Sequence, residues 1–279
     1  MGEKMGDVRE VHAAQFRSIV IGVVIGVLIV RIGSLFFPIE IGGFLIHISL
    51  LGMVVLCVFS IELLSGMERL LENNLLVIFG VASGAIIDET LWLIVRNPPL
   101  VSDAPAQVAY WSTPSIVASL LGTGMLLTTT YFFSRNEMKR VSMLELNNKH
   151  NFWAGLILIG GLIFFHVSQE MIRYDIPNVE RSLVILGYEI HHLVEGQFML
   201  MLSILMMVFV GGKKWVWRSS YILTLVGVLF VADEILYYQL IEVSDDAYFE
   251  LITIISGGVF VLLFLLQLIF QTKIRNKVD

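Results

Sequence analysis

Eight apolar stretches, each close to the length that crosses a bilayer, constrain this chain more than any other feature. They cover roughly residues 18–37, 42–65, 75–96, 114–134, 152–172, 182–211, 219–241 and 250–271, and a helix needs about 20 mostly apolar residues to span the hydrocarbon core. Hydrophobic residues make up 57% of the sequence, charged residues 15%, and the mean hydropathy is +0.82; these values lie outside the range of a water-soluble domain. Within lipid each spanning segment must satisfy its own backbone polar groups, which selects helices. The expected fold is therefore all-α and integral to the membrane, with eight transmembrane helices.

Orientation follows from the basic residues. Of the 18 Lys and Arg, 14 fall in the first 17 residues, in the alternate connections 66–74, 135–151 and 212–218, and in the last eight residues. The positive-inside rule then places both termini in the cytoplasm and the protein in the cell membrane as a multi-pass chain. Tyr110, Trp111, Tyr174 and Tyr248 fall at the opposite edge, and Trp153, Trp215 and Trp217 at the basic one, as interfacial aromatic belts do. Residues 1–17 read as a polar N-terminal tail, part of which has the look of a surface helix. Residues 272–279 form the C-terminal tail.

Two polar motifs recur at one spacing. Ile46-His47 matches Ile190-His191, each followed five residues later by a glycine, Gly52 or Gly196. Asp88-Glu89-Thr90-Leu91-Trp92 matches Asp233-Glu234-Ile235-Leu236-Tyr237, and the His-to-Asp separation is 41 residues in one half and 42 in the other. This register predicts two tandem four-helix repeats, 18–134 and 152–271, joined by a cytoplasmic linker at 135–151. Each unit has an even number of spans, so the copies share one orientation and are related by a pseudo-twofold axis along the membrane normal.

Ionisable groups inside a span cost about 2.5–3.5 kcal/mol each on insertion scales, so their concentration at one depth points to a role. The candidate ligands are His47, Asp88, Glu89, His166, Glu189, His191, His192, Glu195, Asp233 and Glu234. On a continuous sixth helix, Tyr188, His191, His192 and Glu195 would share one face, and Glu189-x-x-His192 has the spacing of carboxylate-bridged metal bundles. Carboxylates here outnumber the one basic group, Arg31, which reads as a counter-ion or an interfacial anchor. Protons or a cation must supply the balance, and mixed imidazole and carboxylate donors favour a divalent transition metal, Zn, Fe or Mn. Glu62 reads as an acid at the membrane surface, and His12 and His150 as solvent-facing. Gly80-x-x-x-Gly84 reads as a close helix-packing face.

The pattern His191-His192-x-x-x-Gly196, followed one span later by Asp233-Glu234, resembles a group of small uncharacterised prokaryotic integral membrane proteins, here duplicated in tandem. The resemblance covers about 60 residues of each half and implies a shared site without naming a reaction. In the first half Ile48 stands in place of the second His.

The sequence contains no nucleotide-binding loop, haem attachment motif or nucleophile elbow, and nothing in it suits nucleic acid. Two functions fit: a metal-dependent membrane enzyme acting on a lipid or other apolar substrate, or a transporter of a divalent cation or protons using the same residues.

Overall fold

The computed structural model describes residues 2–33, 39–41, 44–66, 71–96, 111, 113–135, 146–175, 183–185, 188–190, 192–210, 213–235 and 251–278. Among these are eight helices: α1 (Gly2–Gly33), α2 (Ile48–Leu64), α3 (Asn73–Arg96), α4 (Thr113–Ser134), α5 (Asn148–Asp175), α6 (His192–Phe209), α7 (Lys214–Glu234) and α8 (Leu251–Val278). Six of them, α1 and α4–α8, are long and apolar enough to cross a membrane. The other two are α2, with 17 residues, and α3, whose apolar run is interrupted by Asp88-Glu89. The chain is a helical, multi-pass membrane protein.

Two segments expected to open spans as helix do something else. Strands β1 (Ile39–Ile41) and β2 (Phe44–Ile46) pair antiparallel, with Ile39 opposite Ile46, and α2 starts only at Ile48. Strands β3 (Leu183–Ile185) and β4 (Tyr188–Ile190) do the same, with Leu183 opposite Ile190, and α6 starts at His192. Short, largely apolar triplets rich in Ile on either side of Gly42-Gly43 and Leu186-Gly187 are hairpin sequences. In pairing, the two strands satisfy the backbone groups that face one another. Helix, hairpin and three further helices thus follow one another twice along the chain.

The N-terminal tail also differs from expectation. α1 is unbroken from Gly2, so residues 8–17 are the first turns of a long helix, with His12 buried edge-on against Phe209 at 5.5 Å.

α1 and α3 pack backbone to backbone. A Cβ on Gly80 would lie 2.4 Å from the Ile19 carbonyl oxygen and one on Gly84 2.3 Å from that of Val23, while Gly22 and Gly26 on α1 meet α3 as closely. Small residues let helices approach where lipid gives no hydrophobic drive to associate. α6 and α7 are the most enclosed helices of the second half, whereas α4 and α5 turn most of their surface outward, through Leu120, Leu121, Phe132, Phe152 and Phe164 among others.

The halves meet where α2 packs on α6 and α7, α4 on α6, and β4 on α3. Polar ties fix this seam at both ends. Near the Asp-Glu pairs, Thr90 Oγ1 donates to Gln197 Oε1 at 2.8 Å. At the far end Trp217 Nε1 donates to the Leu64 carbonyl at 3.2 Å, and Gln271 Nε2 donates to Glu62 Oε1 at 2.5 Å. Glu62 is therefore a buried partner of the last helix and not a surface acid. His150, half-buried at the start of α5, packs against Trp217 and Tyr221.

Candidate metal centre

The site grows out of two helix starts. The first N–H groups of any helix lack intrahelical partners and carry partial positive charge, so a carboxylate beside them is stabilised. At α2 the capping residue His47 contributes no side-chain cap. Glu89 of α3 replaces it: Oε2 accepts from the Ser49 backbone N–H, and Oε1 lies 2.9 Å from His47 Nδ1. At α6 the corresponding acid does the same, since Glu234 Oε2 accepts from the Leu193 backbone N–H at 2.9 Å.

Adjacent residues on a helix point about 100° apart, so the aspartate of each pair faces other neighbours. Asp88, fully buried, receives Arg31 Nε at 2.8 Å, Arg31 Nη2 at 2.8 Å and the Ser119 hydroxyl on Oδ1. The guanidinium also lies 3.4 Å from the Ser115 carbonyl oxygen and 5.8 Å from the centre of the Trp111 ring. Arg31 is thus a counter-ion.

Asp233, also buried, faces imidazoles instead. His192 Nδ1 is 3.1 Å from Oδ2 and His166 Nε2 is 3.8 Å from Oδ1. The His192 ring is held between aromatic rings, stacked on Phe165 with centroids 5.3 Å apart and tilted against Phe230 at 5.1 Å. Ligand atoms of His192, Asp233 and Glu234 all lie within 4.8 Å of one another. Donors about 2.1 Å from a tetrahedral ion sit about 3.4 Å apart, so holding one would draw the widest pair of this set together by up to about 1.4 Å. Glu234 thus belongs both to this group and, through Oε2, to the start of α6.

The described contacts gather the expected ligands into two groups, one in each half. His47, Asp88 and Glu89 form the first; His166, His192, Asp233 and Glu234 form the second. Glu195 lies one turn along α6 from His192 and lines a groove between α4 and α6 of about 800 Å³. Its walls are apolar, with Leu121, Met125, Leu126, Met199, Leu202 and Leu205 among them, and Glu195 is the one charged lining residue among the described residues. Glu189 lies on β4 opposite Val184. His191 lies outside the described residues. The helical arc of Tyr188, His192 and Glu195, and with it the Glu189-x-x-His192 spacing, does not form, because Tyr188–Ile190 is a strand.

Sequence reasoning missed several participants. Ser115 and Ser119 stand four residues apart, one turn of α4, and that spacing was a signal for a polar face. Phe165 and Phe230 gave none, since aromatic residues in apolar helices are ordinary packing residues.

No protein-family model matches this chain, and neither a curated protein nor a solved structure matches it.

Proposed function

We propose that this chain is a membrane-embedded metal protein in which His192, Asp233 and Glu234, with His166 beside them, hold a divalent transition ion, and that it is an enzyme acting on a lipid or a similar apolar molecule. The observation that carries the reading is the convergence of one imidazole and two carboxylates within 4.8 Å at a buried level. Two acids side by side in a low-dielectric setting repel unless a cation or protons intervene. The mixed nitrogen and oxygen donor set favours Zn, Mn or Fe over Mg and Ca, which take oxygen ligands. An ion of this kind acts as a Lewis acid and lowers the pKa of bound water. For their part, Phe165 and Phe230 orient the His192 ring, Glu234 ties the site to the start of α6, and His166 places a second imidazole 3.8 Å from Asp233.

The apolar groove between α4 and α6 favours a lipid over a transported ion, because a cation path needs polar walls. Its lining on α6 runs from Val194 to Leu205, about 16 Å at 1.5 Å per residue, close to one leaflet of a hydrocarbon core about 30 Å thick. A chain lying there would bring its polar end to Glu195, one turn from His192. With both termini cytoplasmic, as the basic residues suggest, the site opens to the outer leaflet. The recurring element order and the motif spacing support two tandem units related by an axis along the membrane normal, and the resemblance to small prokaryotic membrane proteins fits one unit of this kind.

Metal analysis tests this directly. Protein purified in detergent without chelators is expected to carry one Zn, Mn or Fe per chain, to lose it in His192→Ala and Asp233→Ala with helical content intact, and to convert a component of a membrane lipid extract by mass spectrometry. Wild-type protein that holds no metal and gains no thermal stability from added Zn²⁺, Mn²⁺ or Fe²⁺ would sink the reading.

A further inference from the structure

The two halves place an aspartate at the same point of the same helix and then treat it differently. Asp88 and Asp233 each precede a glutamate whose carboxylate caps the next-door helix, Glu89 on Ser49 and Glu234 on Leu193. Each aspartate is also met by a group from the opening helix of its half: Arg31 on α1 for Asp88, His166 on α5 for Asp233. The second contact differs again. Ile48 occupies the first residue of α2, where α6 has His192.

Those substitutions change the chemistry. A guanidinium is charged at every accessible pH, has only donors, and cannot ligate a metal. An imidazole is neutral near pH 7, and then presents a ring nitrogen to a cation. Asp88 Oδ1 is contacted by Arg31 through two nitrogens and by the Ser119 hydroxyl, and the guanidinium is itself anchored on the Ser115 carbonyl and under Trp111. A metal ion at Asp88 would be a second cation on a carboxylate already balanced by the first.

We infer that the described residues form a single ion site, in the second half, and that in the first half the Arg31 side chain stands where the ion stands in the second, turning that copy of the motif into a fixed internal ion pair. This rests on the metal reading of His192, Asp233 and Glu234. It assigns Arg31 a role the duplication alone does not suggest: it closes one of two potential sites, so that the halves act as scaffold and site and not as a symmetric pair.

Zn²⁺ binding to detergent-solubilised full-length protein, counted per chain, tests it. Wild type is expected to bind one Zn²⁺, Asp233→Asn none and Asp88→Asn one. Because Asp88→Asn leaves the Arg31 charge buried, a double variant, Arg31→Met with Asp88→Leu, removes both partners at once; apolar replacement of a whole buried pair is tolerated where removal of one partner is not. This variant is expected to fold and to bind one Zn²⁺ with affinity within about threefold of wild type, a difference of less than about 1 kcal/mol. Two Zn²⁺ per wild-type chain, or loss of the ion in the folded double variant, overturns the inference and leaves the metal reading standing. No Zn²⁺ in the wild type removes both.

Discussion

Glu89 and Glu234 show how much of a polar residue's role depends on a neighbour far away in sequence. Each caps a helix whose first turn lies about 40 residues before it, so the acid pairs were legible as ionisable groups in spans but their division of labour was not. Arg31 and Asp88 are 57 residues apart, and nothing local announces their pairing. Asp and Glu at neighbouring positions read alike in a sequence; the 100° between them on a helix separates counter-ion from cap. Removing one member of the buried pair leaves the other charged and desolvated, so Arg31→Ala should lower stability by about 3–5 kcal/mol, seen as a fall in melting temperature in detergent. Glu89→Ala should cost about 1–3 kcal/mol, because it leaves the buried Ser49 amide without its acceptor. Protons compete with a metal for His192 and His166, so Zn²⁺ affinity is expected to fall steadily as pH drops from 7.5 to 5.5. A flat profile over that interval would argue against imidazole ligands.

Among the elements, the helices were legible and the hairpins were not. Apolar length identifies a span but carries no period that separates a helix from a short buried strand, and Phe44-Leu45-Ile46 and Leu183-Val184-Ile185 were absorbed into adjacent runs. The hint available was Gly42-Gly43 between the triplets Ile39-Glu40-Ile41 and Phe44-Leu45-Ile46. The consequence reached the site, since β4 removes Tyr188 and Glu189 from the helix that carries His192. The Gly80 and Gly84 packing face, by contrast, was read from spacing alone, and each glycine does meet a carbonyl of α1. Gly84→Val should force α1 away from α3 and destabilise by about 1–3 kcal/mol or more. A melting curve like that of wild type would show that the contact is dispensable.

At the scale of the whole molecule, the lateral groove is a feature no sequence pattern announced, because it depends on how α4 sits on α6. Filling the groove with Leu121→Trp or Met125→Trp should leave metal content unchanged and reduce turnover of a long-chain lipid at least tenfold, more than that of a short-chain analogue, as measured by mass spectrometry. Equal losses on both substrates would place the acyl chain elsewhere. The seam has a mechanical consequence. A carrier that rocks two halves about a central site must let one end open while the other closes. Here Thr90 and Gln197 rivet one end of the seam, and Trp217 with Leu64 and Glu62 with Gln271 rivet the other. A frame tied at both ends resists such rocking, and its lateral groove is walled by α4, which like α5 turns most of its surface outward.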